Sequence, residues 1–205
     1  MSTLDDIYAK AAKKGADALY REWAQDYDAD NAAKGFHLPY LIAALVARHV
    51  PTDAGPILDA GAGTGLVGQA LNALGYDDLT AIDLSPEMLA VADKRGVYRS
   101  SKVMTLGQAL AFETGRFAAA NCVGSFGVGH APPETLQELA RVTRQDGHVI
   151  FNVVENTWRA QGFPEVIDKM VCDLVWELVE SPEPYRAYYL AEPDLLVRAF
   201  VFRVL

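Results

Sequence analysis

The segment Ile57-Leu-Asp59-Ala-Gly61-Ala-Gly63-Thr-Gly65-Leu-Val-Gly68 constrains this chain more than any other. A short apolar run over Ile57–Ala60 precedes the loop, and a helical pattern over 65–74 follows it. Glycine has no Cβ, so the backbone between them turns tightly and lets a ligand come close. The helix behind the loop presents backbone N–H groups and a positive dipole end, which suit an anionic group. A strand–loop–helix junction of this kind holds a nucleotide-like ligand at the carboxyl ends of a parallel sheet.

The remaining pattern supports such a sheet. Strands are expected over Leu79–Asp83, 102–105, 117–123 and 148–154. Helices are expected from Ser85-Pro86 to about Lys94, with Ser85 as N-cap, and from Pro132-Pro133-Glu134 to about Arg144. Strands alternating with helices imply a mostly parallel α/β sheet covered on both faces. Residues 1–50 read as helical, with an apolar helix over 38–50 stopped by Pro51. Toward the C-terminus, Phe163–Cys172 carries Val166, Ile167, Met170 and Val171 on one helical face. Runs over 174–179 and 195–205 then read as two closing strands, which add an antiparallel edge and bring the count to seven. One domain over 1–205 is expected, with 1–50 as a helical lid on a sheet formed by 51–205, and 205 residues leave no room for an appended recognition domain.

Composition removes several classes. Eighteen Lys and Arg against 27 Asp and Glu give a net charge of −9, which disfavours nucleic acid as a partner. Cys122 and Cys172 fit no metal-ligand spacing, and both stand in apolar stretches that read as sites for small buried side chains. Two distant cysteines point to a reducing, cytoplasmic setting. The acidic start Met-Ser-Thr-Leu-Asp-Asp lacks the apolar core of a signal peptide, and no apolar run approaches the roughly 20 residues of a membrane span. No metal and no membrane partner is expected.

Two ligands compete for the glycine loop. Gly63-Thr-Gly65-Leu-Val-Gly68 satisfies the dinucleotide pattern GxGxxG, and Asp83 lies 20 residues after Gly63, where a ribose-binding acid stands. An NAD(P)-dependent oxidoreductase is therefore the alternative, although no Tyr-x-x-x-Lys pair accompanies it. Asp59 weighs against it. A carboxylate at the strand end, just before the first glycine, repels a pyrophosphate. S-adenosylmethionine carries an ammonium, a carboxylate and a sulfonium instead, and an acid with a glycine loop matches that layout. Asp83 closes the second strand, where its carboxylate can accept from both vicinal ribose hydroxyls.

At this point the chain resembles the class I S-adenosylmethionine-dependent methyltransferases. Asp59-Ala-Gly61-Ala-Gly63-Thr-Gly65 is similar to their first motif and Ala81-Ile-Asp83-Leu-Ser-Pro-Glu-Met88-Leu to their second. Arg144-Gln-Asp-Gly147-His-Val-Ile-Phe resembles their turn into strand five, usually Arg-Pro-Gly-Gly. Tyr20-Arg-Glu-Trp23-Ala-Gln-Asp-Tyr27-Asp28, followed by Gly35-Phe36, resembles an N-terminal segment of small methyltransferases, most of all the Williams–Beuren-region methyltransferase-like proteins. The resemblance spans about residues 20–205 and implies a Rossmann-like seven-stranded sheet. It places Asp59, Gly61 and Gly63 at the methionine end of the cofactor and Asp83 at the ribose. Leu84 and Met88 fall on the adenosine side, and Tyr20 and Tyr27 close over the top. Gln108 stands where an acid often reads the adenine amino group, and its carbonyl accepts that N–H without charge. Ala109 and Cys122 complete the implied cofactor set.

Methyl transfer needs a base only when the nucleophile must lose a proton. His130, in the glycine-rich loop after strand four, is the best-placed group for that role. Asn156, Trp158, Tyr185, Tyr188 and Tyr189 are candidate acceptor-pocket residues, suited to an aromatic or apolar small molecule. The chain lacks the Asn/Asp-Pro-Pro-Tyr/Phe motif of amino-methylating nucleic-acid enzymes, the clustered thiols of arsenic methylation and the carboxylate cluster of a catechol-type metal site. A non-catalytic protein that binds S-adenosylmethionine is the remaining alternative.

Overall fold

The computed structural model describes residues 24–127 and 129–205. Residues 1–23 of the expected lid, including Tyr20, lie outside these residues. The described chain begins with helix α1 (Tyr27–Lys34) and helix α2 (Leu38–His49). It then alternates: β1 (Ile57–Ala60), α3 (Leu66–Ala73), β2 (Leu79–Asp83), α4 (Pro86–Asp93), β3 (Ser100–Val103), β4 (Phe117–Phe126), α5 (Thr135–Val142) and β5 (Thr143–Val154). A short α6 (Glu155–Trp158) and α7 (Phe163–Cys172) lead to β6 (Trp176–Glu180), β7 (Tyr185–Arg186) and β8 (Leu196–Val204).

The strands form one sheet in the order β3-β2-β1-β4-β5-β8-β6, with β7 paired to β8 off this path. The five strands β1 to β5 pair in parallel, and β8 runs antiparallel to β5, β6 and β7. The strand order reverses between β1 and β4, which opens a crevice at their carboxyl ends.

Burial explains the elements. Ile57–Ala60 is buried at every position, as a central strand covered on both faces requires. On one face Phe126, Phe151 and Phe202 pack with Leu136 and Leu139 of α5 and Phe163 and Ile167 of α7. On the other, Ile57 and Leu79 pack with Ile42 and Val46 of α2 and Leu71 of α3. Ser85 caps α4 as expected, its hydroxyl accepting the Met88 N–H at 3.2 Å, with Pro86 at the first helical position.

Four expectations need correction. β3 starts two residues before 102, because this edge strand is mostly exposed and its Ser-Ser-Lys-Val carries no apolar alternation. An eighth strand, β7, forms in the segment read as a loop between the closing strands. β4 continues past Val123 to Phe126 through an irregular pairing after Cys122, where Gly124 takes a φ of +71°. Cys172 is exposed, because α7 buries Phe163, Ile167 and Met170 and turns Cys172 outward.

Candidate active site

A cleft lies over the crevice between β1 and β4. Gly61 and Gly63 of the glycine loop line it, with Asp83, Leu84 and Met88 from β2 and α4. Tyr27 of α1 joins them, as do Val123, Gly124, Ser125 and His130 from β4 and the following loop. Seven residues expected at the site thus converge on one cavity: Tyr27, Gly61, Gly63, Asp83, Leu84, Met88 and His130.

Backbone geometry sets the half of the cleft beside the glycine loop. The Gly61 and Ala62 N–H groups both donate to the Ile82 carbonyl, at 2.8 and 2.9 Å, which folds the loop onto β2. Gly61 holds a φ of +74°, and a Cβ there would sit 2.2 Å from the Ser125 hydroxyl oxygen. The glycine loop and β4 therefore meet at closer range than any side chain would allow. Asp83 accepts the Gly63 N–H at 2.8 Å on one oxygen and the Ser85 N–H at 2.9 Å on the other. Each oxygen keeps a lone pair for a further donor from the cleft. Burial pushes the Asp83 carboxyl up from its ordinary pKa, against those two backbone donors.

Asp59 occupies a different place from the one expected. It is 1% exposed, lies beneath the loop and is not part of the cleft wall. Its Oδ1 accepts the Asn121 Nδ2–H at 2.7 Å and its Oδ2 accepts the Tyr98 hydroxyl at 2.6 Å. The register pairs Asp59 of β1 with Asn121 of β4, so the side chain points along one face of the sheet toward its neighbour. Burial raises its pKa to about 6, opposed by the Tyr98 and Asn121 hydrogen bonds. The N–H groups expected to remain open at the start of α3 are also partly engaged, since Gly68 donates to the Tyr98 oxygen at 3.1 Å.

Gln108 and Ala109 are exposed and outside the cleft wall, and Cys122 is fully buried behind it, where burial pushes its thiol pKa up. Thr105 and Leu106 line the cleft near the position expected of Gln108. The acceptor candidates scatter. Trp158 stacks on Phe200 at 4.8 Å, in the packing beside the core. Tyr188 is buried, with its hydroxyl donating to Asn31 Oδ1 at 2.9 Å. Tyr189 is exposed and stacks on His37, Asn156 is exposed, and Tyr185 borders a separate groove beside α2. None of the five lines the cleft.

Other residues, with no role expected from the sequence, hold the site together. Asp28 accepts the Thr64 hydroxyl at 2.6 Å and pairs with Arg95, whose Nε donates to the Thr64 carbonyl at 2.6 Å. This contact fixes α1 on the glycine loop and puts Tyr27 at the cleft. Asn152 accepts the Gly124 N–H at 3.0 Å and pins the irregular end of β4. Among the described residues, no group of three or more His, Cys, Asp or Glu side chains is arranged to hold a metal ion, and no helix is long and apolar enough to cross a membrane.

A switch-point cleft with a glycine loop on one strand and an acid closing the next is the arrangement of a Rossmann-like nucleoside-binding domain. Residues 58–151 match the family model described as a methyltransferase domain. Human methyltransferase-like protein 27 is 34% identical over 165 residues, covering 78% of this chain and 67% of that protein. A ubiquinone biosynthesis O-methyltransferase of Xanthomonas oryzae pv. oryzae is 29% identical over 147 residues, with the match spanning 68% of this chain and 59% of its relative. The solved structure of a TehB-like SAM-dependent methyltransferase from Corynebacterium glutamicum superposes with a TM-score of 0.68 at 21% identity, over 92% of this chain and 99% of that one. The chain belongs to the class I S-adenosylmethionine-dependent methyltransferases. Membership of that family implies S-adenosylmethionine as its cofactor.

Proposed function

We propose that this methyltransferase acts on a small molecule bearing a weakly acidic hydroxyl, and that Asp83 is the anchor of its cofactor. The observation that carries the second point is the Asp83 carboxylate: it stands at the end of β2 in the cleft wall, with one backbone N–H on each oxygen. A carboxylate oriented from behind in this way accepts two vicinal hydroxyls from in front. Exposed Leu84 and buried Met88 beside it supply an apolar face for the adenine ring. Gly63, whose missing side chain leaves open space, gives room for the amino-acid end.

The cofactor supplies a methyl group on a sulfonium, which is already an activated leaving group. The chain's task is positioning and exclusion of water. Tyr27, held by the Asp28 contacts, covers the cofactor half. Val123, Gly124 and Ser125 form the wall between cofactor and acceptor. His130 takes the acceptor's hydroxyl proton onto a ring nitrogen as the oxygen attacks. The relatives that are named O-methyltransferases favour an oxygen acceptor, and the net charge of −9 favours a small molecule over nucleic acid. Two free cysteines, one buried and one exposed, suit a cytoplasmic setting.

Calorimetric titration with S-adenosylhomocysteine tests the anchor. Wild type is expected to bind and Asp83→Ala to bind far more weakly; equal affinities would remove Asp83 from the site. Incubation with methyl-labelled cofactor and a panel of phenols, amines and thiols tests the acceptor class. Label in the phenol fraction is expected, with loss in His130→Ala. Label in the amine fraction alone would overturn the hydroxyl reading.

A further inference from the structure

We propose that Tyr98 is a positioning residue for cofactor binding: its hydroxyl joins the buried Asp59 carboxylate to the first turn of α3, and Gly68 lacks a side chain in order to admit it. The inference rests on the cofactor site proposed above. Tyr98 lies between α4 and β3, outside every motif that the sequence displays. Its hydroxyl donates to Asp59 Oδ2 at 2.6 Å and accepts the Gly68 N–H at 3.1 Å. A Cβ on Gly68 would fall 2.2 Å from both the Cζ and the hydroxyl oxygen of Tyr98, and 2.6 Å from its Cε1. Gly65 is also close to the ring, with a built Cβ 3.0 Å from the Tyr98 Cε2. Two glycines of the GxGxxG pattern are therefore occupied by contact with Tyr98.

The consequence is electrostatic. Asp59 is 1% exposed and sits directly behind the loop that receives the cofactor's ammonium and carboxylate end. Its anionic form attracts the ammonium through the loop, and among the described residues the side chains of Tyr98 and Asn121 donate to it. Among the described residues, Asp83 and the Cys122 thiol are the other ionisable groups near it. Arg95 faces Tyr98 and is itself paired with Asp28. Removing the Tyr98 hydroxyl withdraws a hydrogen bond from a buried carboxylate whose pKa is already about 6, and so moves its ionisation further up.

The test is calorimetric titration of S-adenosylhomocysteine into wild type, Tyr98→Phe and Asp59→Asn from about pH 5.5 to about pH 8. The ratio of variant to wild-type Kd cancels any titration of the ligand itself. A charged hydrogen bond is equivalent to about one pKa unit or more. Tyr98→Phe is therefore expected to bind about five-fold or more weakly at about pH 6 and within about two-fold at about pH 8. Asp59→Asn is expected to bind weakly with no midpoint in this range. A Tyr98→Phe ratio that stays constant with pH would reduce Tyr98 to packing and overturn the inference. So would an unchanged midpoint in Asp59→Asn, which would assign the titration to Asp83. No binding by wild type at any pH would instead sink the cofactor site, a result separate from either.

Discussion

The two halves of the cleft are built on different principles. On the side proposed for the cofactor, short hydrogen bonds to backbone groups fix Asp83 and the glycine loop: Gly63 and Ser85 hold Asp83, and Ile82 holds the loop. On the acceptor side, the wall is an irregular strand end and a glycine-rich loop, with Val123 and Ala131 as apolar lining and His130 as its titratable side chain. The first half is preorganised for one ligand. The second is a permissive frame, in which specificity depends on a few side chains carried by loops. A family that keeps one cofactor and varies its acceptor needs this division.

The largest expected effect breaks the cofactor half. Asp83→Ala removes the acceptor of two charge-assisted hydrogen bonds and is expected to weaken S-adenosylhomocysteine binding by about 1.5–3 kcal/mol. Isothermal calorimetry reads this directly, and an unchanged enthalpy and affinity would place the ribose elsewhere. Gly61→Ala acts next, at the seam between the halves. Its φ of +74° disfavours an L side chain, and the new methyl meets the Ser125 hydroxyl. A stability loss of about 1–2 kcal/mol is expected in urea unfolding, together with a narrower cleft floor. Full wild-type stability and affinity would show that the seam is looser than its geometry.

The same division governs what the sequence shows. Gly61, Gly63 and Asp83 are legible because the backbone demands them: a tight loop excludes side chains, and a strand end fixes where an acid points. The alternation of strands and helices is legible because each buried strand carries a mostly apolar run, such as Ile57-Leu58 in β1 and Val149-Ile150-Phe151 in β5. The bounds of β3 and the existence of β7 are not, because both lie at the margins of the sheet and lack an apolar pattern. Asp59 is legible as an acid but not in its surroundings, since Asn121 is 62 residues away and Tyr98 is 39. The acceptor candidates fail for a related reason. Trp158 and Tyr188 are aromatic in either role, and only packing reveals that they serve the core and the α1 contact. Gly68 carried a hint: a glycine at the third position of a helix leaves room for a bulky neighbour.

Asp59 sharpens the comparison through stability. Its folded pKa of about 6 stands above the 3.8 of a free carboxyl. The folded chain therefore holds this proton more tightly than the unfolded chain. The resulting stabilisation is complete below about pH 3.8 and is lost as pH rises through about 6. Above that pH the buried charge weighs against folding. Asp59→Asn is expected to raise stability by about 1 kcal/mol at about pH 7.5, with the gain shrinking toward about pH 4.5. Thermal melts at the two pH values check the sign. A variant less stable at both would mean that its hydrogen bonds outweigh its charge. The cofactor half thus keeps a buried anion at a cost in stability, as a site prepared for a cation does.

The smallest expected effect lies on the acceptor side and decides whether the two halves are separable. His130 is in the cleft wall, and its backbone N–H donates to the Gly127 carbonyl at 3.1 Å. Truncation of its ring leaves that turn intact. His130→Ala is therefore expected to change S-adenosylhomocysteine affinity by less than about two-fold, about 0.4 kcal/mol, while slowing methyl transfer to a hydroxyl acceptor. Calorimetry and label transfer on the same preparation read the two quantities independently. A cofactor affinity that falls ten-fold would mean that His130 contacts the cofactor and that the loop after β4 belongs to the preorganised half. The boundary would then move from Ser125 to a point beyond His130.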